Sequence, residues 1–268
     1  MAAMTPTAGR SATWAASTAA ITRRGVLKWL RTPQLVLLGT VQGALFLLTY
    51  RFVFGGAIAI PGVAYVDFLV PGFLATMVLY FGMGAATGIA DDMQQGFIDR
   101  LRSLPIPRSS MLVARVVSDT LQMVWGLLAT VGVSLLIGFR FHGTGTAALA
   151  ALALCIAFGF AFEWMFVALG AIAGSPQAAQ GVAFLVFPLS FFSSTYVQVE
   201  TMPGWLRAFA EYQPVTMMVD AVRALALGPK AEALLEHSAG WYVGVSMLWT
   251  TGIVAVFAPI AVAKFRRG

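Results

Sequence analysis

Six long apolar segments constrain this chain more than any other feature. They cover approximately residues 34–54, 68–90, 116–138, 147–170, 179–199 and 241–263. A helix needs about 20 mostly apolar residues to cross the hydrocarbon core of a bilayer. Only helices and closed barrels pair every backbone group inside a membrane, and the short alternating segments of a barrel are absent. The sequence therefore predicts an all-α polytopic membrane protein with six transmembrane helices.

The basic residues predict the orientation of these helices. With six spans, 12 of the 17 Lys and Arg residues fall on the side that holds both termini and the polar segment 91–115. Because Lys and Arg concentrate in cytoplasmic loops, we expect both termini in the cytoplasm. Arg outnumbers Lys 14 to 3, which indicates a GC-rich bacterial genome and hence a bacterial cytoplasmic membrane. The basic residues flank apolar segments, so membrane topology explains the net charge of +6 better than nucleic-acid binding does.

The region before the first apolar segment mixes aromatic, aliphatic and basic residues. Trp14, Leu27 and Trp29 alternate with Arg23 and Lys28. Such a segment can lie along the inner membrane surface as an interfacial helix. The alternative is an ordinary basic flank that only sets topology. We therefore divide the chain into an N-terminal tail with an interfacial amphipathic helix (1–32) and a six-helix transmembrane domain (33–268).

The polar segment 91–115 is the longest charged region between apolar segments. Within it, Phe97, Leu101 and Leu104 recur at i, i+4 and i+7, and Pro105 ends the helical pattern. A short amphipathic helix of this kind can bind in a cleft of a partner protein. The alternative is a solvated loop that only joins two spans.

The longest segment on the opposite side covers residues 200–240. Pro214 starts a second helical pattern, and Gly228-Pro229 ends it. Asp220 and Arg223 have the i,i+3 spacing of an ion pair. This segment is too short and too polar to span, so it predicts a re-entrant or surface-lying hairpin.

Four residues inside the apolar segments are candidates for a substrate pathway or for gating. Glu163 lies in the fourth segment, about 10 Å from its cytoplasmic end, with no Arg or Lys at the membrane centre to pair with it. An intramembrane carboxylate is a functional candidate by default. Pro188 predicts a kink in the fifth segment, and Phe191 and Ser194 follow it. Ordinary helix packing is the alternative for these three residues.

Enzyme motifs are absent from the sequence. It contains neither a phosphate-binding loop nor a G-x-S-x-G motif, and its two His residues have no second ligand at helical spacing. We therefore expect no catalytic residues and no metal site. A membrane-embedded enzyme acting on lipid would need clustered His, Asp or Ser near one interface, which the sequence does not offer.

Two blocks of the sequence carry a family resemblance. The first contains Asp91-Asp92, Gly96, Asp99-Arg100-Leu101, Ser103-Leu104-Pro105 and Arg108. The second contains Pro203, Trp205, Leu206, Pro214 and Arg223. With both blocks correctly spaced on six apolar segments, the chain resembles the membrane subunit of a type-2 ABC exporter, in the branch of daunorubicin-resistance permeases. The resemblance extends over nearly all of residues 20–268.

The resemblance implies a cytoplasmic coupling helix at about 95–104, seated on a separate nucleotide-binding ATPase subunit. The implied contact residues are Gly96, Phe97, Asp99, Arg100, Leu101, Leu104 and Pro105. It also implies that Trp205, Pro214 and Arg223 belong to an outer hairpin, and that two permease copies, identical or paralogous, form a dimer. ATP and Mg²⁺ would bind to the partner ATPase, so no cofactor is expected on this chain.

These observations predict a permease subunit of an ATP-driven exporter for a hydrophobic or amphipathic substrate such as a drug, lipid or glycolipid. The alternative is a proton-coupled secondary transporter that uses Glu163. The absence of an internal repeat argues against that alternative, because many secondary transporters are built from repeats.

Overall fold

The computed structural model describes residues 13–58, 60, 62–96 and 107–267, and all regular secondary structure in these ranges is helical. The helices are, in chain order, α1 (Trp14–Leu30), α2 (Pro33–Thr49), α3 (Tyr65–Gln94), α4 (Arg108–Leu136), α5 (Gly145–Ala173), α6 (Pro176–Phe184), α7 (Phe187–Phe191), α8 (Gly204–Ala210), α9 (Pro214–Leu227) and α10 (Ala239–Arg267). A π-helical turn (Tyr50–Phe54) extends α2, and 3-10 helices cover Val199–Thr201 and Gly228–Ala233. The predicted all-α class is confirmed.

Four helices of the described ranges are long and apolar enough to cross a membrane, namely α3, α4, α5 and α10. They correspond to the predicted segments 68–90, 116–138, 147–170 and 241–263. Their candidate membrane spans are 27 to 30 residues long, and about 20 residues are needed to cross the hydrocarbon core. The fold is therefore that of a polytopic helical membrane protein.

The first and fifth predicted segments do not form single long α-helices. Helix α2 has only 17 residues before the π-helical turn begins. The fifth segment divides into α6 and α7, and the break falls just before Pro188, whose ring nitrogen has no hydrogen to donate to the preceding turn. The expected kink is thus a two-residue interruption of the α-helix at Leu185 and Val186, which keep helical dihedral angles. The count of six spans stays a prediction.

Side chains pair with backbone carbonyls of α7 and of the residue that follows it. The Ser190 hydroxyl donates to the Phe187 carbonyl at 2.8 Å. The Gln213 amide, just before α9, donates to the carbonyls of Leu189 at 2.9 Å and Phe192 at 3.1 Å. Buried carbonyl groups need such partners. The C-terminal end of α7 is therefore held by the residue that precedes α9.

Helix α3 forms the centre of the bundle. In its most apolar stretch 78% of the residues are buried, against 22% in α10, which lies at the periphery. Helix α5 packs closely on α3 because Gly170 faces its backbone, and a Cβ at Gly170 would lie 2.2 Å from the Ala86 carbonyl oxygen. Gly82 on α3 similarly makes room for the Phe166 ring. Small residues permit this approach between membrane helices.

Helix α1 lies along α4 and is attached to it by hydrogen bonds. The Trp14 indole N–H donates to the Ser109 hydroxyl at 3.1 Å, and the Ser118 hydroxyl donates to the Thr22 carbonyl at 3.3 Å. A Cβ at Gly25 would lie only 2.7 Å from the Ser118 hydroxyl. The N-terminal helix therefore exists as expected, and its place at the membrane interface stays a prediction.

The segment 200–240 forms a helical hairpin around α9. Pro214 lies in the first turn of α9, and Gly228, with φ of +56°, follows its last residue, as predicted. Twelve of the 14 residues of α9 are buried, against α3, α5 and α10. Neighbouring helices therefore cover α9, and the re-entrant or surface-lying position of the hairpin relative to the membrane stays a prediction. The amphipathic pattern suggested one polar face, but neighbouring elements cover both faces.

Candidate functional site

The structure describes only the two ends of the polar segment between α3 and α4. Helix α3 ends at Gln94, and Gly96 follows with φ of +66°, a conformation that favours glycine at a helix C-terminus. Helix α4 begins at Arg108 after Pro107. The other predicted coupling residues, Phe97, Asp99, Arg100, Leu101, Leu104 and Pro105, lie outside the described residues.

A charge cluster joins the end of α3 to the first turns of α4. The Arg115 guanidinium donates through Nη1 to Asp92 Oδ2 at 2.7 Å and through Nε to Asp119 Oδ2 at 2.6 Å. Gly88 on α3 lies against this guanidinium, because a Cβ at Gly88 would be 2.1 Å from Arg115 Nη2. The two carboxylates and the glycine together fix the position of Arg115 between the helices.

Glu163 on α5 lies close to this cluster. Its side chain is 1% exposed, and neither carboxyl oxygen has a hydrogen-bond partner among the described residues. The charges of Arg115 and Asp119 are near enough to act on Glu163 electrostatically. No described Arg or Lys pairs with Glu163, and the packing of α4 on α5 brings the charge of Arg115 within electrostatic range of it.

A cavity of about 350 Å³ lies between α2, α3 and the broken helix α6–α7. Phe46, Met77 and Phe187 contribute to its apolar wall, and Gln42 and Tyr80 add polar groups. The hydroxyls of Tyr80 and Ser190 hydrogen-bond at 2.7 Å, which orients the tyrosine ring. An apolar cavity with a few polar groups is the usual form of a small-molecule site.

A row of aromatic rings leads away from this cavity. Ring centroids lie 5.2 Å apart between Phe184 and Phe187, 5.1 Å between Phe187 and Phe191, and 5.4 Å between Phe191 and Tyr196. Tyr196 stacks on Tyr50 with 4.4 Å between centroids. These separations suit favourable ring contacts. The row, named here the aromatic row, connects the cavity with the end of α2.

The outer hairpin contains a buried ion pair. Arg223 is 1% exposed, and its Nη1 donates to Asp220 Oδ1 at 2.7 Å. Its Nη2 donates to the Ser194 carbonyl at 2.8 Å, and the guanidinium lies 3.8 Å from the centroid of the Phe68 ring. Burial raises the pKa of Asp220, and Arg223 partly opposes this shift. The pair predicted from i,i+3 spacing is confirmed, and it links α9 to α3 and to the segment after α7.

The four predicted pathway residues lie at separate places. Pro188 and Phe191 belong to α7 beside the cavity, and Phe191 is part of the aromatic row. The Ser194 hydroxyl is buried and donates to Asp220 Oδ1 at 2.7 Å, so it supports the hairpin. Glu163 is not among the residues that line the cavity.

Other residues of the hairpin and the charge cluster differ in how readily the sequence reveals them. Trp205 is 78% exposed, whereas Pro214 starts the buried α9. Sequence reasoning missed Arg115 as a site residue, although its i,i+4 spacing to Asp119 was a usable signal.

Within the described ranges, no three His, Cys, Asp or Glu side chains gather as a metal site.

These features define a polytopic helical membrane protein with an apolar cavity and a partly buried charge cluster among its helices. The family model for ABC-2 type transporters matches residues 16–227. The chain belongs to this family, whose members are membrane subunits of ABC transporters and generally not catalytic.

Two relatives are drug-resistance permeases. The chain is 33% identical over 224 residues to a daunorubicin resistance ABC transporter permease protein of Streptomyces coeruleorubidus, covering 83% of this chain and 76% of the relative. It is 27% identical over 255 residues to a probable doxorubicin resistance ABC transporter permease protein of Mycobacterium tuberculosis, covering 92% and 87%. The resemblance to an ABC-2 drug-exporter permease is confirmed.

Proposed function

We propose that this chain is the permease subunit of an ATP-driven exporter that moves a hydrophobic or amphipathic substrate from the cytoplasm or inner leaflet outward. The main support is the family match over residues 16–227. The names of the relatives favour a drug as the substrate over a lipid or glycolipid. The protein would reside in a bacterial cytoplasmic membrane with both termini in the cytoplasm, as the distribution of Lys and Arg favours.

ATP and Mg²⁺ would bind to a separate nucleotide-binding ATPase, which would act on the segment between α3 and α4. The proposed contact residues are Gly96, Phe97, Asp99, Arg100, Leu101, Leu104 and Pro105. A second permease copy, identical or paralogous, would complete the transmembrane pathway. The hairpin with Trp205, Pro214 and Arg223 would lie on the outer side as a re-entrant element.

The cavity beside α7 is the proposed substrate site. Its volume of about 350 Å³ falls in the range of about 300–1,000 Å³ that small-molecule sites occupy. The aromatic row would offer further ring faces to an apolar substrate on its way outward, with Pro188 keeping α6 and α7 as separate pieces. Support comes from the mainly apolar wall and from the two polar groups, Gln42 and Tyr80.

Co-purification tests the assignment to an ABC exporter. The tagged chain is isolated from native membranes in mild detergent, and its partners are identified by mass spectrometry. We expect a stoichiometric ATPase, which is lost when Asp99 and Arg100 are both changed to Ala. A matched control changes Arg207 and Glu211, an ion pair in the outer hairpin, to Ala and should retain the ATPase. Absence of any ATPase from the wild-type sample would contradict the proposal.

Transport assays test the cavity. Phe187→Ala should raise the half-saturating substrate concentration about 5-fold to 13-fold, as expected from the loss of about 1–1.5 kcal/mol of ring contact. Leu248→Ala, on the exposed face of α10 with 74% of the side chain exposed, serves as the control of similar apolar loss. Equal effects of both substitutions would argue against a binding role for the cavity.

A proton-coupled secondary transporter is the second candidate, and the buried, unpartnered carboxyl of Glu163 is the observation that favours it. In that case transport would persist after ATP depletion and stop when a protonophore removes the proton gradient. Transport by Glu163→Gln would then be lost entirely. Transport that stops on ATP depletion alone would exclude this candidate.

A further inference from the structure

The cavity beside α7 combines aromatic walls with a single side-chain amide. Rings from α2, α3 and the broken helix α6–α7 line it, namely Phe46, Phe73, Tyr80, Phe81, Phe184 and Phe187. Among its described lining residues no side chain carries a charge, and Gln42 on α2 supplies the only side-chain amide. A charged group placed here would lose its water without gaining an opposite charge. The lining therefore suits an uncharged molecule with apolar rings.

The Gln42 amide lacks a hydrogen-bond partner. Gln42 is exposed and makes no hydrogen bond with any described residue. The Tyr80 hydroxyl, by contrast, is already bonded to the Ser190 hydroxyl at 2.7 Å. Position 42 falls within the first predicted membrane-spanning segment, where an unpaired amide is unfavourable because water is scarce. The Gln42 amide therefore needs a partner that the described residues do not supply.

The face of α2 that carries Gln42 leaves space beside the amide. The cavity is lined here by residues at positions i, i+3, i+4 and i+7 of one helix face, namely Gly39, Gln42, Gly43 and Phe46. No described atom lies within 4 Å of the Cβ position of Gly39. The Cβ position of Gly43 lies 3.4 Å from the Thr130 hydroxyl oxygen, so α2 is in contact with α4 there. Gln42 therefore lies between an open turn and a packed turn of α2.

We propose that Gln42 is the specificity-determining residue of this cavity, and that its amide donates a hydrogen bond to an uncharged oxygen acceptor, such as a carbonyl, on a ring-bearing molecule. The inference rests on the proposed function, in which the cavity is the substrate site. The aromatic walls contact the apolar body of the molecule, and the amide selects among bodies of the same shape. A site built to hydrogen-bond its ligand rejects an analogue that lacks the bonding group, because the polar group of the site is then left unpaired.

The test compares fluorene with fluorenone, two flat ring molecules that differ by a carbonyl oxygen. Their binding to the full chain is measured in lipid nanodiscs, and empty nanodiscs correct for partition into lipid. We expect the wild-type chain to bind fluorenone about 2-fold to 13-fold more tightly than fluorene, as a single hydrogen bond predicts. Gln42→Leu should abolish this preference, and Gln42→Asn should keep part of it. Thr40→Val, which removes a hydroxyl from α2 outside the cavity, should keep all of it.

Further probes locate the binding and test the selection against charge. Gly39→Leu, whose new side chain enters the open space, should weaken the binding of fluorene and fluorenone equally. Fluorene-2-carboxylate should bind the wild-type chain about tenfold more weakly than fluorene, because its charge finds no partner. An undiminished preference for fluorenone in Gln42→Leu would overturn the inference. If that variant also loses dimer mass in light scattering, the amide instead serves the contact between permease copies.

A vibrational measurement keeps the inference testable if Gln42→Leu fails to fold. The infrared carbonyl band of fluorenone bound to the wild-type chain should lie at lower frequency than that of fluorenone in the same lipid. Gly39→Leu should remove the shifted band, and an unshifted band in the wild type would contradict the hydrogen bond. Export that does not depend on ATP in proteoliposomes would instead contradict the proposed function, while a fluorenone preference that depends on Gln42 would stand.

Discussion

The buried ion pair of the outer hairpin leads to a quantitative stability prediction. Arg223→Met removes the guanidinium and keeps a long apolar side chain. Asp220 would retain a single side-chain donor, the Ser194 hydroxyl. Removal of one partner from a buried ion pair costs about 3–5 kcal/mol, because the remaining charge is uncompensated. Loss of the contact with the Phe68 ring, at 3.8 Å, adds about 1–2 kcal/mol.

The assay is thermal unfolding of the purified chain in detergent. For a chain of this size, 1 kcal/mol shifts the Tm by about 2–4 °C, so the Tm of Arg223→Met should fall by roughly 8–28 °C. Arg207→Met is the matched control, since Arg207 pairs with Glu211 in the same hairpin but has 40% of its side chain exposed. We expect no measurable Tm change in the control.

A double variant separates charge burial from packing. Asp220→Asn combined with Arg223→Met leaves no uncompensated charge, so its Tm should lie above that of Arg223→Met alone. The reasoning is refuted if Arg223→Met loses no more stability than the Arg207 control. It is also refuted if the double variant loses the sum of the two single effects.

Two glycine contacts give further predictions. Gly170→Ala should lower the Tm by roughly 3–10 °C, because overpacking costs about 1–3 kcal/mol and the added Cβ would lie 2.2 Å from the Ala86 carbonyl oxygen. Gly84→Ala is the control, because no described atom lies within 4 Å of the Cβ position of Gly84 on α3. It should leave the Tm unchanged or raise it, and an equal fall in Tm for both variants would disprove the close contact at Gly170. Gly88→Ala should displace the Arg115 guanidinium, because the added Cβ would lie 2.1 Å from its Nη2, and should lower the Tm by roughly 3–10 °C; an unchanged Tm would contradict this contact.

Some features of this protein follow from local sequence alone. The length of the apolar segments predicts α3, α4, α5 and α10, because only a helix of about 20 residues satisfies its own backbone groups across hydrocarbon. Pro214 and Gly228 predict both ends of α9 through their backbone preferences. The pairing of Asp220 with Arg223 follows from their spacing on one helix.

The interruption of the fifth segment depended on tertiary structure. Its apolar length and the single Pro188 predict a kinked helix, and a kink leaves only a few carbonyl groups unpaired. The structure shows an interruption at Leu185 and Val186. The end of α7 is held by Gln213 from the outer hairpin, which donates to two carbonyls there, and no local pattern indicates that partner.

The candidate site itself was decided by packing between helices. The sequence alone determines which residues are charged, aromatic or small, and periodicity predicts which of them share a helix face. It does not determine which faces meet, because that choice depends on shape complementarity across the whole bundle. Asp92 meets Arg115 from 23 residues away, and Tyr50 stacks on Tyr196 from the opposite part of the chain. Only the tertiary structure brings these residues together, since close approaches such as those at Gly170 and Gly88 set the distances between the helices.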